Sequence, residues 1–389
     1  MIKLANRIKK INPSVTLAIS AKAKKIKSEG KDVVNFSAGE PDFDTPDFIK
    51  DAAIEAIKSG FTKYTPTTGT AELKQLIVEK FKKDNNLNYT AEQIVVSCGA
   101  KHSIFNAILT LIERGDEVLI LSPYWVSYPE MVNLCEGEIK SIEADPKNNF
   151  KITPQQLNKA INPKTKLLIL NTPSNPCGSV YSREELEQIA EICVAKKILV
   201  ISDEIYEKLT YDGLRHYSIG ALNKDIYNLT ITVNGVSKAY SMTGWRIGYL
   251  GGGLEIVKAI SDIQDHSTSN PTSISQKAAA AALSSDDSFT QNMCREFEKR
   301  RDYILMRLDK IKKISYVKPQ GAFYIFCDIS RYGMGSVEFA SRLLDETFVA
   351  LIPGRGFGKD DYVRISFATS QSQIEKGMDR IEGWLTKNG

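Results

Sequence analysis

Lys238 and Arg246 stand eight residues apart among small and hydroxyl-bearing neighbours in the stretch NGVSKAYSMTGWRIG (234–248). Elsewhere the chain carries Asp203 and Tyr206 in DEIY, Asn175 in NTPSNPCG (171–178), Trp125 in SPYWVSY (122–128) and the small-residue run Ser97-Cys-Gly-Ala-Lys101. An amine, a carboxylate, a phenol, an amide and an arginine, with a helix start suited to phosphate, form the set that a phosphorylated pyridine aldehyde needs. The amine condenses with the aldehyde, and the carboxylate keeps the ring nitrogen protonated so that the ring accepts electrons. Amide and phenol hydrogen-bond the ring oxygen, the arginine and free helix N–H groups neutralise the phosphate, and an indole offers a flat face for stacking. Each residue alone has a plainer use. Asp203 can cap the next helix, and Asn175 between two prolines can be a turn residue. A lone lysine is ordinarily a solvated surface group, and Arg246 can be half of a surface ion pair. Only convergence on one crevice makes the set specific.

Convergence requires elements that end together. Unalternating runs of Val, Ile and Leu recur at 93–97, 117–121, 166–170, 198–202, 229–233 and 247–250, mostly separated by amphipathic stretches such as 182–195. That pattern predicts parallel strands buried on both faces and crossed over by helices. Ligands of such sheets bind at the carboxyl ends of the strands, where Asn171, Asp203, Lys238 and the Ser97–Lys101 run all fall. Beyond about residue 275 the character changes. Helical patterns at 276–284 and 289–314 are followed by two short alternating strands (321–327 and 362–367) and a closing helix (370–385), which predicts a smaller α+β domain. The expected fold is α/β, a mainly parallel central sheet in a large domain (45–285) plus a small domain (286–389). An N-terminal arm (1–44) joins the small domain.

Composition narrows the function classes. The 389 residues suit two domains, and 42% hydrophobic with 25% charged residues is globular usage. Fifty-one basic against 47 acidic side chains leave a net charge of +4, too balanced to argue for nucleic acid. The basic start MIKLANRIKK is followed by no apolar core of signal-peptide length. No run approaches the roughly 20 apolar residues of a membrane span, so a cytoplasmic protein is expected. Six scattered cysteines without a CxxC pair and only three histidines give little material for a metal site, a disulfide framework or a Ser-His-Asp triad.

Seven motifs appear in order: SAGEPDFDTP (37–46), YTPTTGTAELK (64–74), SPYWVSYPEM (122–131), NTPSNPCG (171–178), SDEIYEKLTYDG (202–213), VSKAYSMTGWRIGY (236–249) and RISFA (364–368). On these the chain resembles, over essentially its whole length, the class I aminotransferases of fold type I, which use pyridoxal 5′-phosphate. Within them it is most similar to the bacterial aspartate aminotransferase subgroup. The resemblance implies that Lys238 is the Schiff-base lysine and proton shuttle, and that Asp203 partners the pyridine nitrogen. It makes Asn175 and Tyr206 the ring-oxygen partners and Trp125 the stacking residue. Gly99, Ala100 and Lys101 would give N–H groups to the phosphate, closed off by Ser237 and Arg246. Tyr64 would reach the phosphate of a second subunit, implying a homodimer with shared active sites. Arg364 would bind the substrate α-carboxylate with Gly39 nearby. One position departs from animal-type relatives, which carry a phosphate-binding serine where this chain has Gly235.

The resemblance further implies amino acids and 2-oxo acids as small-molecule partners, with aspartate and 2-oxoglutarate the preferred pair. The bacterial subgroup reads the second carboxylate with a lysine at the position of Lys101, helped by hydroxyls of the arm, here Ser14 and Thr16. Lys101 can equally be an ordinary first-turn surface lysine. Relatives that also accept prephenate carry a lysine where this chain has Asn12, which argues against prephenate. The competing functions are a related aminotransferase acting on aromatic amino acids, diaminopimelate or prephenate, a β-lyase or cyclopropane-carboxylate synthase on the same cofactor, and the sensor half of a transcription regulator. The last needs a DNA-binding domain ahead of the large domain.

Overall fold

The computed structural model describes residues 2, 4–11 and 15–388, and the side chains of residues 15–17 lie outside that description. The contacts expected of Asn12, Ser14 and the Thr16 side chain therefore fall outside the described residues.

The larger sheet has seven strands in the order Ile94–Ser97, Gly248–Gly251, Thr230–Gly235, Leu199–Asp203, Thr165–Asn171, Glu117–Ser122 and Glu138–Glu143. Three adjacent strands, Ile94–Ser97, Gly248–Gly251 and Thr230–Gly235, are buried along their whole length, as unbroken apolar runs covered on both faces require. Successive residues serve opposite faces: Val95 packs with Ile104, Ile108 and Val233 on one side, Val96 with Leu73, Ile77 and Phe81 on the other.

One expectation is corrected. The run 247–250 is not parallel to its neighbours: Gly248–Gly251 pairs antiparallel with both Ile94–Ser97 and Thr230–Gly235. The connection 236–247 contains only the short 3₁₀ turn Thr243–Trp245, too little for the crossover helix that parallel pairing needs, so the chain returns directly. The reversal matters for the site. It puts the start of that strand, just after Arg246, at the edge where the parallel strands end.

Residues beyond 285 build a four-stranded antiparallel sheet, in the order Ile352–Pro353, Tyr362–Ser366, Tyr324–Asp328 and Ser315–Tyr316. Phe323, Ile325, Ile365 and the apolar sides of the helices Ser288–Leu308, Ser336–Thr347 and Gln371–Asn388 share one core with it. The helix predicted to run to 314 stops at Leu308, where the bonds Lys310 N–H to Arg307 and Ile311 N–H to Leu308 tighten the last turn. In the N-terminal segment the helix Val15–Ser28 is followed by the strand Val34–Asn35, which pairs in parallel with Val349–Ala350. Among the described residues no helix is long and apolar enough to cross a membrane.

Candidate active site

A cavity of about 440 Å³ opens at the carboxyl edge of the large sheet, and Gly39, Lys101, Trp125, Asn175, Asp203, Tyr206, Ser237, Lys238, Arg246 and Arg364 all line it. With Ala100, which lines it too, eleven residues singled out from sequence, drawn from the whole length of the chain, meet in one space. Gly99 does not line it but lies against the Arg246 guanidinium, while Tyr64 does not line it and is 91% exposed.

Asp203 is the last residue of its strand and is buried. Burial raises its carboxyl to about pH 6, against the pull of Tyr128. The Tyr128 hydroxyl donates to Asp203 Oδ2 at 2.6 Å, and the Ile205 N–H donates to Oδ1 at 3.3 Å. Lys238 follows the neighbouring strand Thr230–Gly235 by three residues, and its Nζ donates to the Gly39 carbonyl at 2.5 Å. Burial lowers its amine to about pH 8; the Glu40 carboxylate works against that shift, while Arg364 and Arg246 add to it. Desolvation thus pushes the acid and the amine toward their neutral forms.

The end of the cavity beside the helix start is shaped by glycine. Gly99 precedes the helix Ala100–Leu111 with a φ of 90°, and a Cβ there would strike the Arg246 guanidinium. A Cβ on Gly248 would run into the backbone of Gly99 and Ala100. The N–H groups of Ala100 and Lys101 belong to the first helical turn, which has no carbonyl of its own to meet. Arg246 takes a left-handed φ of 57° and is tied by Nη1 to the Thr243 carbonyl at 2.8 Å and by Nη2 to the Cys98 carbonyl at 3.1 Å. Ser237 is buried beside it. The corner is a cationic, N–H-lined cradle for a dianion.

At the opposite end Arg364 is buried in the strand Tyr362–Ser366. Its Nη1 donates to Asn175 Oδ1 at 3.0 Å and its Nη2 to the Ser37 carbonyl at 3.1 Å, while Nε is buried with no partner. A buried guanidinium with an unpartnered N–H calls for an anion. Lys101 holds its ammonium 4.8 Å from the centre of the Trp125 ring, and burial together with Arg246 lowers its pKa.

Sequence reasoning missed three members. Tyr128 supports Trp125 edge to face at 5.3 Å while it donates to Asp203; it lay unassigned inside SPYWVSYPEM, three residues after Trp125. Glu40 lines the cavity and accepts from the Thr243 hydroxyl at 2.7 Å; only its place beside Gly39 hinted at it. Tyr324 lies 2.8 Å from Tyr206 hydroxyl to hydroxyl, with no signal beyond an alternating strand. Away from the cavity, Glu204, Glu207 and His216 bring ligand atoms within 4.8 Å of one another. Asn85 Nδ2 already donates to both carboxylates, at 2.8 and 2.6 Å, Lys80 pairs with Glu207, and His216 Nε2 lies 3.0 Å from Glu204, so both carboxylates are satisfied from within the chain while His216 Nδ1 is buried without a partner.

The donor set fits pyridoxal 5′-phosphate. A buried carboxylate stands where a protonated ring nitrogen needs a partner, an amine faces it, and the glycine-walled cradle suits the phosphate.

Residues 31–381 match the model of the family described as aminotransferase class I and II. The chain is 51% identical over 387 residues to an aspartate aminotransferase of Bacillus sp. strain YM-2, covering 98% of this chain and 99% of that one. It is 45% identical to an aspartate/prephenate aminotransferase of Nitrosomonas europaea, covering 99% and 100%. Among solved structures, the crystal structure of the aspartate aminotransferase from Rhizobium meliloti superposes with a TM-score of 0.95 at 40% identity, covering 99% of both chains.

Proposed function

Because the chain belongs to the class I and II aminotransferase family, we infer that it moves the amino group of L-aspartate to 2-oxoglutarate, yielding oxaloacetate and L-glutamate in two half-reactions at one site. The observation that carries this reading is the meeting of Lys238, Asp203 and the buried, anion-seeking Arg364 in one cavity, in a chain half identical to an aspartate aminotransferase along its whole length. Bound pyridoxal 5′-phosphate supplies an aldehyde that takes up the amino group and a ring that accepts the electron pair left at Cα.

The chain's own residues do the rest. Asp203 holds the proton on the ring nitrogen, with Tyr128 fixing one of its oxygens. Trp125 packs against the ring face, and Asn175 and Tyr206 donate to its oxygen. The N–H groups of Gly99, Ala100 and Lys101, with Ser237 and Arg246, bind the phosphate. Arg364 takes the substrate α-carboxylate beside Gly39, which aims the Cα–H bond toward Lys238. The Lys238 Nζ then removes that proton and returns it to the cofactor carbon. The same residues run the reverse sequence with the second acid. The active unit is a homodimer in which Tyr64 of each copy completes the other's phosphate site; its 91% exposure within one copy supports this. In this reading the arm spans 1–44, the large domain 45–285 and the small domain 286–389, and the protein works in the cytoplasm.

Lys101, aided by Ser14 and Thr16, reads the second carboxylate. A desolvated charge pair of that kind is worth at least about 1.4 kcal/mol, so Lys101→Ala lowers kcat/KM for aspartate by about tenfold or more and leaves a neutral aromatic amino acid much less affected. Equal losses on both substrates would assign Lys101 to the phosphate or the fold alone. The Nitrosomonas europaea relative, whose name includes prephenate, makes prephenate the second acceptor to try in the same assay.

A further inference from the structure

We propose that Tyr324 is a positioning residue serving both ends of the site, its ring holding the carboxylate-binding arginine and its hydroxyl aiming the tyrosine that meets the cofactor oxygen. The proposal rests on the roles of Arg364 and Tyr206 given above and adds a residue that neither role requires.

Tyr324 is fully buried and lines the cavity. Its place is fixed by the sheet. Arg364 lies opposite Phe326, and Ser366 opposite Tyr324, so Tyr324 and Arg364 are diagonal neighbours on one face. The Arg364 guanidinium carbon stands 4.2 Å from the centre of the Tyr324 ring and 5.1 Å from that of Phe357. Two aromatic rings thus hold the planar cation while Asn175 and Ser37 hold its Nη atoms, and Nε is left for the ligand.

The hydroxyl has a separate task. It lies 2.8 Å from the Tyr206 hydroxyl, among the charges of Arg364 and Glu40 on its own side and Asp203 and Lys238 around Tyr206. Burial raises both phenols, so both keep their protons and one must donate to the other. Tyr206 has to donate to the ring oxygen, which leaves Tyr324 as the donor to Tyr206. The two bonds then point the same way, and each strengthens the next. A tyrosine that merely filled space would need neither the hydroxyl nor its direction.

Tyr324→Phe and Tyr324→Leu separate the two tasks. The holoenzymes are titrated from pH 5 to 10 by visible absorbance, and KM and kcat are measured with aspartate. Phenylalanine keeps the ring and loses the hydroxyl. Tyr206 then donates more weakly, the cofactor oxygen is less well stabilised as an anion, and the absorbance midpoint rises by roughly half a pH unit, the size of a partly lost hydrogen bond. KM for aspartate stays within about twofold, because the cation–π face remains. Leucine removes the ring as well, and KM rises on the order of fivefold. An unchanged midpoint in Tyr324→Phe, or a KM rise in it as large as in Tyr324→Leu, overturns the proposal; should the leucine variant not fold, the phenylalanine midpoint decides alone. A parent protein that gains no visible band with pyridoxal 5′-phosphate overturns the proposed function instead.

Discussion

Asp203 shows how a single residue can trade stability for chemistry. Its carboxyl, at about pH 6 when folded against 3.8 when exposed, is held up by burial. Between those values the folded chain keeps a proton that the unfolded chain has released, so stability falls as pH rises from about 4 to 6, and the full penalty persists above it. A protonated ring nitrogen next to the carboxylate relieves that penalty. The cofactor-free Asp203→Asn variant should therefore melt higher than the parent at pH 7.5, by the equivalent of ~1–3 kcal/mol, and the two should converge near pH 4. With pyridoxal 5′-phosphate present the order should reverse. Thermal melts across pH check both halves, and a cofactor-free variant that melts lower at pH 7.5 would contradict the assignment. Lys238, Asp203, Asn175 and Arg246 were legible in the sequence only as a set, because polar groups recurring at successive strand ends of one sheet must face one crevice. Tyr128 and Tyr324 were not, because a buried tyrosine looks like core until the partner of its hydroxyl is known.

At the scale of elements, the phosphate cradle depends on two backbones touching. The strand Gly248–Gly251 and the start of the helix Ala100–Leu111 approach so closely that a Cβ at 248 has no room. Gly248→Ala should push the helix start away from the phosphate and weaken pyridoxal 5′-phosphate binding by about tenfold or more, the scale of an overpacked contact. Fluorescence titration of the cofactor-free protein measures it; an unchanged affinity would remove this contact from the account. The direction of that strand was the part of the fold least readable from sequence. An apolar run reads the same whichever way it points, and only the shortness of the 236–247 connection distinguished return from crossover. Five other strands of that sheet were readable because burial leaves an unbroken apolar run, whereas the half-polar edge strand Glu138–Glu143 offers no such run and went unread. The helix expected from the amphipathic stretch 182–195 has its start fixed by a capping pair. Ser182 and Glu185 exchange bonds at the head of Arg183–Lys196.

For the whole molecule, the helix Asp47–Lys58 buries Ile49, Ala53 and Ala56 yet leaves Phe48, Ile54 and Ile57 44–54% exposed, an apolar face that suits a second copy of the chain. Tyr64 follows it, exposed and away from its own cavity. If each copy completes the other's site, mixing inactive Lys238→Ala with poorly active Tyr64→Ala, after unfolding and joint refolding, should restore one good site in each mixed dimer, about a quarter of all sites at equal amounts. No recovery would mean that Tyr64 does not act across a subunit boundary. The central claim, that the cavity passes an amino group from aspartate to 2-oxoglutarate, is tested most directly by absorbance in single half-reactions. L-aspartate added to the cofactor-loaded protein should abolish the visible band with one equivalent of oxaloacetate released, and 2-oxoglutarate should then restore the band with one equivalent of L-glutamate. A band that persists in aspartate, or turnover that releases fumarate and free ammonia, or alanine and CO2, in place of oxaloacetate, would contradict it.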